Sequence, residues 1–535
     1  MTSLISIKHR RARLLGAFLC LSFLVNVASA KDALVAKWAR FEQTFKSSAN
    51  YENALQQCTL KVTIVSPSGA TNVIDGFWDG GKTWRVRFSP DQLGFWTYHT
   101  ECSDAANRGL NNQSGKFLCT SPIGDSRFAK HGPVRVAWDH HHFEHADGSP
   151  FFWMADAAWN APRLSSSRDW IIYTQARAGQ NFSAVQWSAA PGADAKNHSA
   201  FSGRGRIQID PTYFQDLDEK IDMMNRAGLL SVIAPLWGNT NATVDVPEEQ
   251  LSLLVRYMNA RWGAYQVAWL LPVNDGHNTR WMRAGREVFN GTTHAPVVIS
   301  AGALSSAIAE FHNEKWVDAF GFGFGQSLST DSVKWLITGP LRRESTTPPL
   351  RPFINVLPPM ENGLVTGRQT RISADDVRRL AWSSLLLMQL AGVSYGAHDV
   401  ATWNETKQSK LPIWQVSLFL PGAKQMSHIP ATLDSLEWWK LHPAPQSVAT
   451  QPGNENLDRY IASATSDAGN LSFTYVPEER TLNLFLEALP SAPVIHWLNP
   501  RTGKISSAVA VVGGRTCQFP TPETGDWVLL ATTGK

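Results

Sequence analysis

Long apolar runs are missing from this sequence: Leu14 to Val25 falls short of the roughly 20 residues needed to span a bilayer, and no later stretch is long and apolar enough. No G-x-G-x-x-G follows a strand-like run, which removes the usual argument for a doubly wound, dinucleotide-binding sheet. Cysteine is scarce, at 5 in 535 residues, and no pair has C-x-x-C spacing, so no zinc centre, other metal or cofactor is expected. Excess charge is also small. The formal net charge of +4 is accounted for by Lys8, Arg10, Arg11 and Arg13 in a leader that has no acidic residue, so the remainder is neutral and unsuited to a nucleic-acid partner.

Those basic residues, the short apolar run behind them and the small residues Ala28-Ser29-Ala30 have the form of a signal peptide over 1–30. The mature chain is therefore expected to be secreted or periplasmic, with no membrane attachment after cleavage. Cys20 leaves with the leader, and Cys58, Cys102, Cys119 and Cys517 remain. An even number in an oxidising compartment favours a disulfide, and Cys102 with Cys119 is the expected pair.

A hydrophobic fraction of 43% is enough for ordinary packed cores, and the length suits about three domains. Residues 31–124 alternate apolar and polar positions in CTLKVTIVSP, TWRVRFSP and GFWTYHTEC, which reads as a small β-sandwich. Phe77, Trp78, Trp84, Phe95 and Trp96 are expected to serve packing. Over 125–443 eight strand-like runs alternate with helical ones: 150–156, 182–187, 229–237, 265–273, 296–301, 316–324, 351–357 and 392–397. Asp210-Pro211, Pro247-Glu248-Glu249 and the Ser373/Asp376 capping box open helices between them. This pattern predicts a (β/α)8 TIM barrel. Residues 444–535 return to short β runs, a second sandwich, with Trp438 and Trp439 in the joining helix.

Barrel chemistry is built at the carboxyl ends of strands. There YQVAWLLPVND ends on Asn274 and Asp275, and RPFINVLPPME ends on Glu361. Two carboxylates from separate strand ends suit glycoside hydrolysis. Asp156 and Trp159 follow the first run, Trp187 the second, Trp237 the third, Gln326 the sixth, and His398 and Trp403 the eighth. Indole faces pack on sugar rings and amides bind hydroxyls, so these residues and Asn274 are the candidate substrate contacts. Trp269, inside its strand, is expected in the core. His140, His141, His142 and His145 are expected to form a structural or solvated turn rather than a metal site.

FFWMADAAWN, AWLLPVNDG, FGQS, PFINVLPPMENG and GVSYGAHDVATW resemble, in order, the strand-end motifs of the apiosidase-like glycoside hydrolases. The segment 75–104 resembles the β-sandwich that often precedes that barrel, and WLNPRTG with DWVLL resembles the C-terminal domain of collagen-binding type. The resemblance implies a secreted retaining glycosidase that releases sugars from plant cell-wall type glycans, with an oligosaccharide or polysaccharide as its partner. It implies Asp275 as acid/base and Glu361 as nucleophile. The sequence departs from the motif where Leu357 replaces the earlier of two glutamates and Met360 stands where an aromatic is common. The alternative is a non-catalytic carbohydrate-binding or adhesion protein on the same scaffold.

Overall fold

The computed structural model describes residues 32–203, 205–237, 246–273, 278–302, 305, 307–327, 330–408 and 410–533. At its centre is a closed barrel of eight parallel strands: β1 (Trp153–Ala157), β2 (Ala184–Ser188), β3 (Leu230–Ala234), β4 (Val267–Val273), β5 (Val297–Ala301), β6 (Ala319–Gly323), β7 (Phe353–Leu357) and β8 (Gly392–Tyr395). Each lies within or overlaps one of the eight apolar runs. Pairing of β8 with β1, in the register Trp153↔Gly392 to Asp156↔Tyr395, closes the ring.

Side chains alternate across the barrel wall because the strand repeat is two residues. Trp153, Ala155, Ala184, Leu230, Val232, Ala268, Leu270, Val298, Ile354 and Val356 fill the interior. Their neighbours Met154, Val185, Trp187, Ile233, Trp269, Leu271, Ile299 and Tyr395 join a second core against the helices. Five of those helices matter below: α1 (Ser167–Gly179), α2 (Pro211–Arg226), α3 (Glu248–Trp262), α4 (Ala374–Leu387) and α5 (Pro421–Met426). Asp210 caps α2 ahead of Pro211, and Ser373 with Asp376 forms a complete capping box on α4. The floor is a three-stranded sheet of 134–136, 143–145 and 150–151, with Phe143 and Phe151 against Trp153. Of the four histidines, His140, His141 and His142 lie in the turn between two strands of this sheet, as expected, and His145 ends a strand. His142 stacks on Trp439, and the His145 Nδ1 lies 2.8 Å from the Gly132 carbonyl.

On the amino-terminal side a five-stranded sheet, ordered 33–36, 114–120, 94–102, 60–65, 71–75, accompanies a three-stranded one, 41–46, 83–88, 77–78. Phe41, Trp84 and Val86 of one meet Val62, Ile64, Trp96 and Phe117 of the other in a sandwich core. On the carboxyl-terminal side sheets of six and three strands enclose Val476, Leu482, Trp497, Phe519 and Trp527. Trp438 and Trp439 occupy a single 3-10 turn.

Buried ion clusters join the three parts. Asp79 and Arg87 of the first sandwich bond to Arg261 of α3 and Asp218 of α2, at 2.8 and 2.7 Å, and Arg261 binds Asp218 at 2.7 Å. Arg378 of α4 holds Asp526 of the second sandwich at 2.7 and 2.8 Å, with Tyr475 as a third partner.

The expected Cys102–Cys119 pair is corrected by strand register. Cys102 stands opposite Leu60 at one end of strand 94–102, whereas Cys119 stands opposite Gly94 at the other end. At about 3.4 Å of rise per residue the two lie far beyond bridging distance. The neighbour of Cys102 is Cys58, with the sulfurs 3.5 Å apart.

Candidate active site

The carboxyl ends of the barrel strands open onto a mouth whose most distinct feature is a pair of indoles. Trp159, just after β1, and Trp237, just after β3, stack with ring centroids 4.4 Å apart and planes 14° from parallel. Both are half-buried and rest on the barrel-interior core. Backbone bonds fix them: the Ser188 N–H donates to the Trp159 carbonyl at 3.0 Å, and the Trp237 N–H donates to the Ala190 carbonyl at 2.8 Å. Beneath the mouth, Gln186 of β2 spans the interior. Its Nε2 donates to the Val356 carbonyl, and its Oε1 accepts from the Ser394 hydroxyl, both at 2.8 Å.

Across the mouth, Leu357 is half-buried against the same interior core. After it the chain runs beside the extension of β8, where Glu361 pairs in parallel with Ala397. The Glu361 N–H donates to the Gly396 carbonyl, and the His398 N–H donates to the Glu361 carbonyl, at 2.8 and 3.0 Å. In such an extended segment consecutive side chains take opposite faces. The Met360 side chain lies against Gly396, as does Ala157, which shares the strand parity of the interior-facing Trp153 and Ala155. Glu361 takes the other side, 4% exposed, where Oε2 accepts from the Tyr395 hydroxyl at 2.6 Å and Oε1 from the Gly422 N–H of α5 at 3.2 Å. Burial raises its carboxyl above the ordinary range, while Tyr395 and Gly422 pull in the opposite direction.

The same alternation places Asp156 and Trp187 behind the barrel wall, and Trp403, which ends the short helix His398–Thr402 after β8, is buried among the helices as well. Asp156 is fully buried and bonds to Arg177 of α1 at 2.7 Å and to the Tyr173 hydroxyl at 2.6 Å. Arg177 continues to the Leu418 carbonyl at 2.9 Å. Trp187 is fully buried, donates to the Ser231 hydroxyl at 2.8 Å and meets Trp262 edge-on. Trp403 stacks on Trp414 with centroids 4.0 Å apart, at 3% exposure. These three hold barrel to helices and do not line the mouth. Trp269, as expected, is in the core. The parity of Asp156 with Met154, and of Trp187 with Val185, is a signal in the sequence that a reading by strand ends alone passes over.

Gln326 and His398 remain half-buried at the rim. Gln326 ties two rim loops together, its Oε1 accepting from the Met360 N–H at 3.3 Å and its carbonyl from the Thr366 N–H at 3.0 Å. Asn274 and Asp275, expected as a substrate contact and as the acid/base, lie outside the described residues. Tyr395, Gly422 and Arg177, which surround Glu361, are residues the sequence reading did not single out.

Asp194, His198 and Asp216, in and beside the loop between β2 and α2, present possible metal-binding atoms within 4.8 Å of one another. Lys196 already sits on Asp216 at 2.5 Å, and Asp194 Oδ1 accepts two backbone N–H groups at 2.8 Å. Their negative charge is thus largely satisfied without an ion.

A model of the catalytic domain described as apiosidase-like matches residues 138–440, more than half of the chain and the whole of the barrel. This chain belongs to that family. A domain of unknown function (DUF5060) matches 34–103, and a model described as "Putative collagen-binding domain of a collagenase" matches 443–532. Among solved structures, one described as a glycoside hydrolase aligns at a TM-score of 0.68 and 16% identity, over 77% of this chain and 99% of that one. A family 5 glycoside hydrolase from Bacteroides vulgatus ATCC 8482 aligns at 0.67 and 16%, over 77% and 95%. A "putative glycoside hydrolase" from the same organism aligns at 0.69 and 17%, over 94% and 100%. At these identities the likeness establishes a shared fold. No curated protein sequence matches. Among the described residues, no helix is long and apolar enough to cross a membrane.

Proposed function

We propose that this member of the apiosidase-like glycoside hydrolases is an exported glycosidase that releases sugars from plant cell-wall type glycans bound at the barrel mouth. The observation that carries the reading is the Trp159–Trp237 stack, a flat apolar face at the rim where the strand ends converge. In this reading Asp275 protonates the leaving oxygen and Glu361 attacks the anomeric carbon. Water then releases the sugar with retention, and Asp275 acts as base.

A second reading has an observation of its own. Glu361 faces Tyr395 and Gly422 behind the wall, and Leu357 occupies the mouth position at the end of β7. To act as a nucleophile, Glu361 would have to leave both partners and cross to the face now held by Met360. If it stays in place, the same mouth binds carbohydrate without cleaving it.

A panel of pectic and hemicellulosic oligosaccharides separates the two readings. Hydrolysis with retained anomeric configuration, lost in Asp275→Asn, supports the glycosidase. Calorimetric binding without release of product supports the binder. In either case Trp237→Ala should weaken sugar affinity roughly five-fold, since one stacking face is worth about 1 kcal/mol.

A further inference from the structure

The two thiols that strand register brings together are Cys58 and Cys102, each 5% exposed in the core of the amino-terminal sandwich. Cys102 is the last residue of strand 94–102 and lies opposite Leu60, so Cys58, two residues before Leu60, is its diagonal neighbour on the same face. The sulfurs are 3.5 Å apart. Both backbones are held independently of the sulfurs. The Cys58 N–H closes the one-turn helix Ala54–Gln57 on the Ala54 carbonyl at 3.1 Å, and the Cys102 N–H donates to Asn111 Oδ1 at 3.0 Å. Between them the Ser103 N–H donates to the Thr59 carbonyl at 3.0 Å, and the Thr59 N–H to the Ser103 hydroxyl at 2.9 Å. Only the side chains have to turn for the sulfurs to reach the bonding distance of about 2 Å.

We propose that Cys58 and Cys102 form a disulfide that ties the one-turn helix to the sandwich, leaving Cys119 and Cys517 as thiols. The helix is a docking point on the barrel. Asn53 Nδ2 and Gln56 Nε2 donate to the Ile207 carbonyl at 2.9 and 3.2 Å, and Gln56 Nε2 also donates to Gln250 Oε1 at 2.6 Å. Ile207 belongs to the loop that leaves the mouth after β2, so the staple would steady the sandwich face that supports that loop. The bridged residues are 44 positions apart, and closing so long a loop removes much freedom from the unfolded chain.

The oxidant is a disulfide. One protein thiolate attacks it and releases one thiol; the second protein thiolate then displaces the other. The new S–S bond forms with loss of two protons and two electrons from the protein, and the oxidant ends as two thiols. Once folded, burial pushes the Cys102 thiol up to about 12, which starves exchange of thiolate, so the bond belongs to the folding stage.

The test does not depend on export. The full chain is refolded in a glutathione redox buffer, free thiols are alkylated, and the protein is digested without reduction. A peptide joining Cys58 to Cys102, with Cys119 and Cys517 alkylated, is the expected result. Melting should then drop by several degrees on reduction in the wild type and not in Cys58→Ser/Cys102→Ser. Refolded native protein with both thiols alkylated, or with Cys102 joined to Cys119, overturns the proposal. An equal drop in the double variant overturns the stabilising role, and if that variant does not fold, the peptide map of the wild type still decides.

Discussion

Glu361 carries the sharpest question at the scale of single residues, because its two proposed uses make opposite demands on one carboxylate. A nucleophile contributes to turnover and little to folding. A buried acceptor of the Tyr395 hydroxyl and the Gly422 N–H contributes to folding, and its removal leaves both donors unsatisfied. Glu361→Ala should therefore lower stability by about 3 kcal/mol if the carboxylate works where it is seen, since each stranded group costs roughly 1–3 kcal/mol. Glu361→Gln should cost only about 1 kcal/mol, because the amide oxygen can accept from Gly422 while its NH2 donates to the tyrosine oxygen. Denaturant melts of both variants, run beside the oligosaccharide assay, separate the uses. Two variants of wild-type stability and no turnover would identify a nucleophile. Loss of stability in the alanine variant, with activity kept in the glutamine variant, would identify a support for the rim.

At the scale of elements, side-chain caps specify the starts of α1, α2 and α4. On α4, Ser373 Oγ accepts from the Asp376 N–H at 3.2 Å, and Asp376 Oδ2 accepts from the Ser373 N–H at 2.9 Å. Ser373→Ala removes half of this box and should destabilise the protein by about 1 kcal/mol, read as a shift in the urea midpoint at unchanged slope. The rim between β7 and β8 is specified differently. It has little regular secondary structure and relies on Gln326, Glu361 and the turn after Met360, so its shape comes from side-chain bonds between distant segments. The pattern of β7 itself is plain in the sequence, while the direction taken by the residues after Leu357 is not.

At the scale of the whole molecule, the union of sandwich and barrel rests on carboxylates buried among guanidiniums. For Asp218, burial raises the carboxyl, but Arg261 and Arg87 more than offset it and the net direction is down. For Asp79, burial is likewise outweighed by Arg261, Gln215 and Arg85. A folded value below the ordinary one, about 3.9 for aspartate, means that the stability these groups lend is complete above that pH and is lost as pH falls through the folded value. Melting temperature should hold near neutrality and fall steeply below about pH 4. Asp218→Asn should already be less stable at pH 7, by about 1–3 kcal/mol, because two buried arginines each lose one carboxylate partner while Arg261 keeps Asp79 and Arg87 keeps Glu42, and its decline in acid should be shallower. A variant with the same acid slope as the wild type would assign the titration elsewhere.

The eight strands, their order and the caps of α2 and α4 were readable from the chain because each depends on local grammar: an apolar run, a proline or acidic start, a period of two or 3.6. Family membership was readable for the same reason, since its motifs are contiguous strand ends. What local grammar does not contain is the choice of face where a strand gives way to a loop. Asp156 and Trp187 stand at strand ends as expected, yet closure of the barrel turns them toward the helices, Trp403 is buried at the end of the short helix after β8, and Trp159 and Trp237 are left to form the mouth. The cysteines follow the same logic. Three occur close together in sequence, and only the antiparallel register of strands 60–65 and 94–102, set by two separate segments packing on one core, decides that Cys102 meets Cys58.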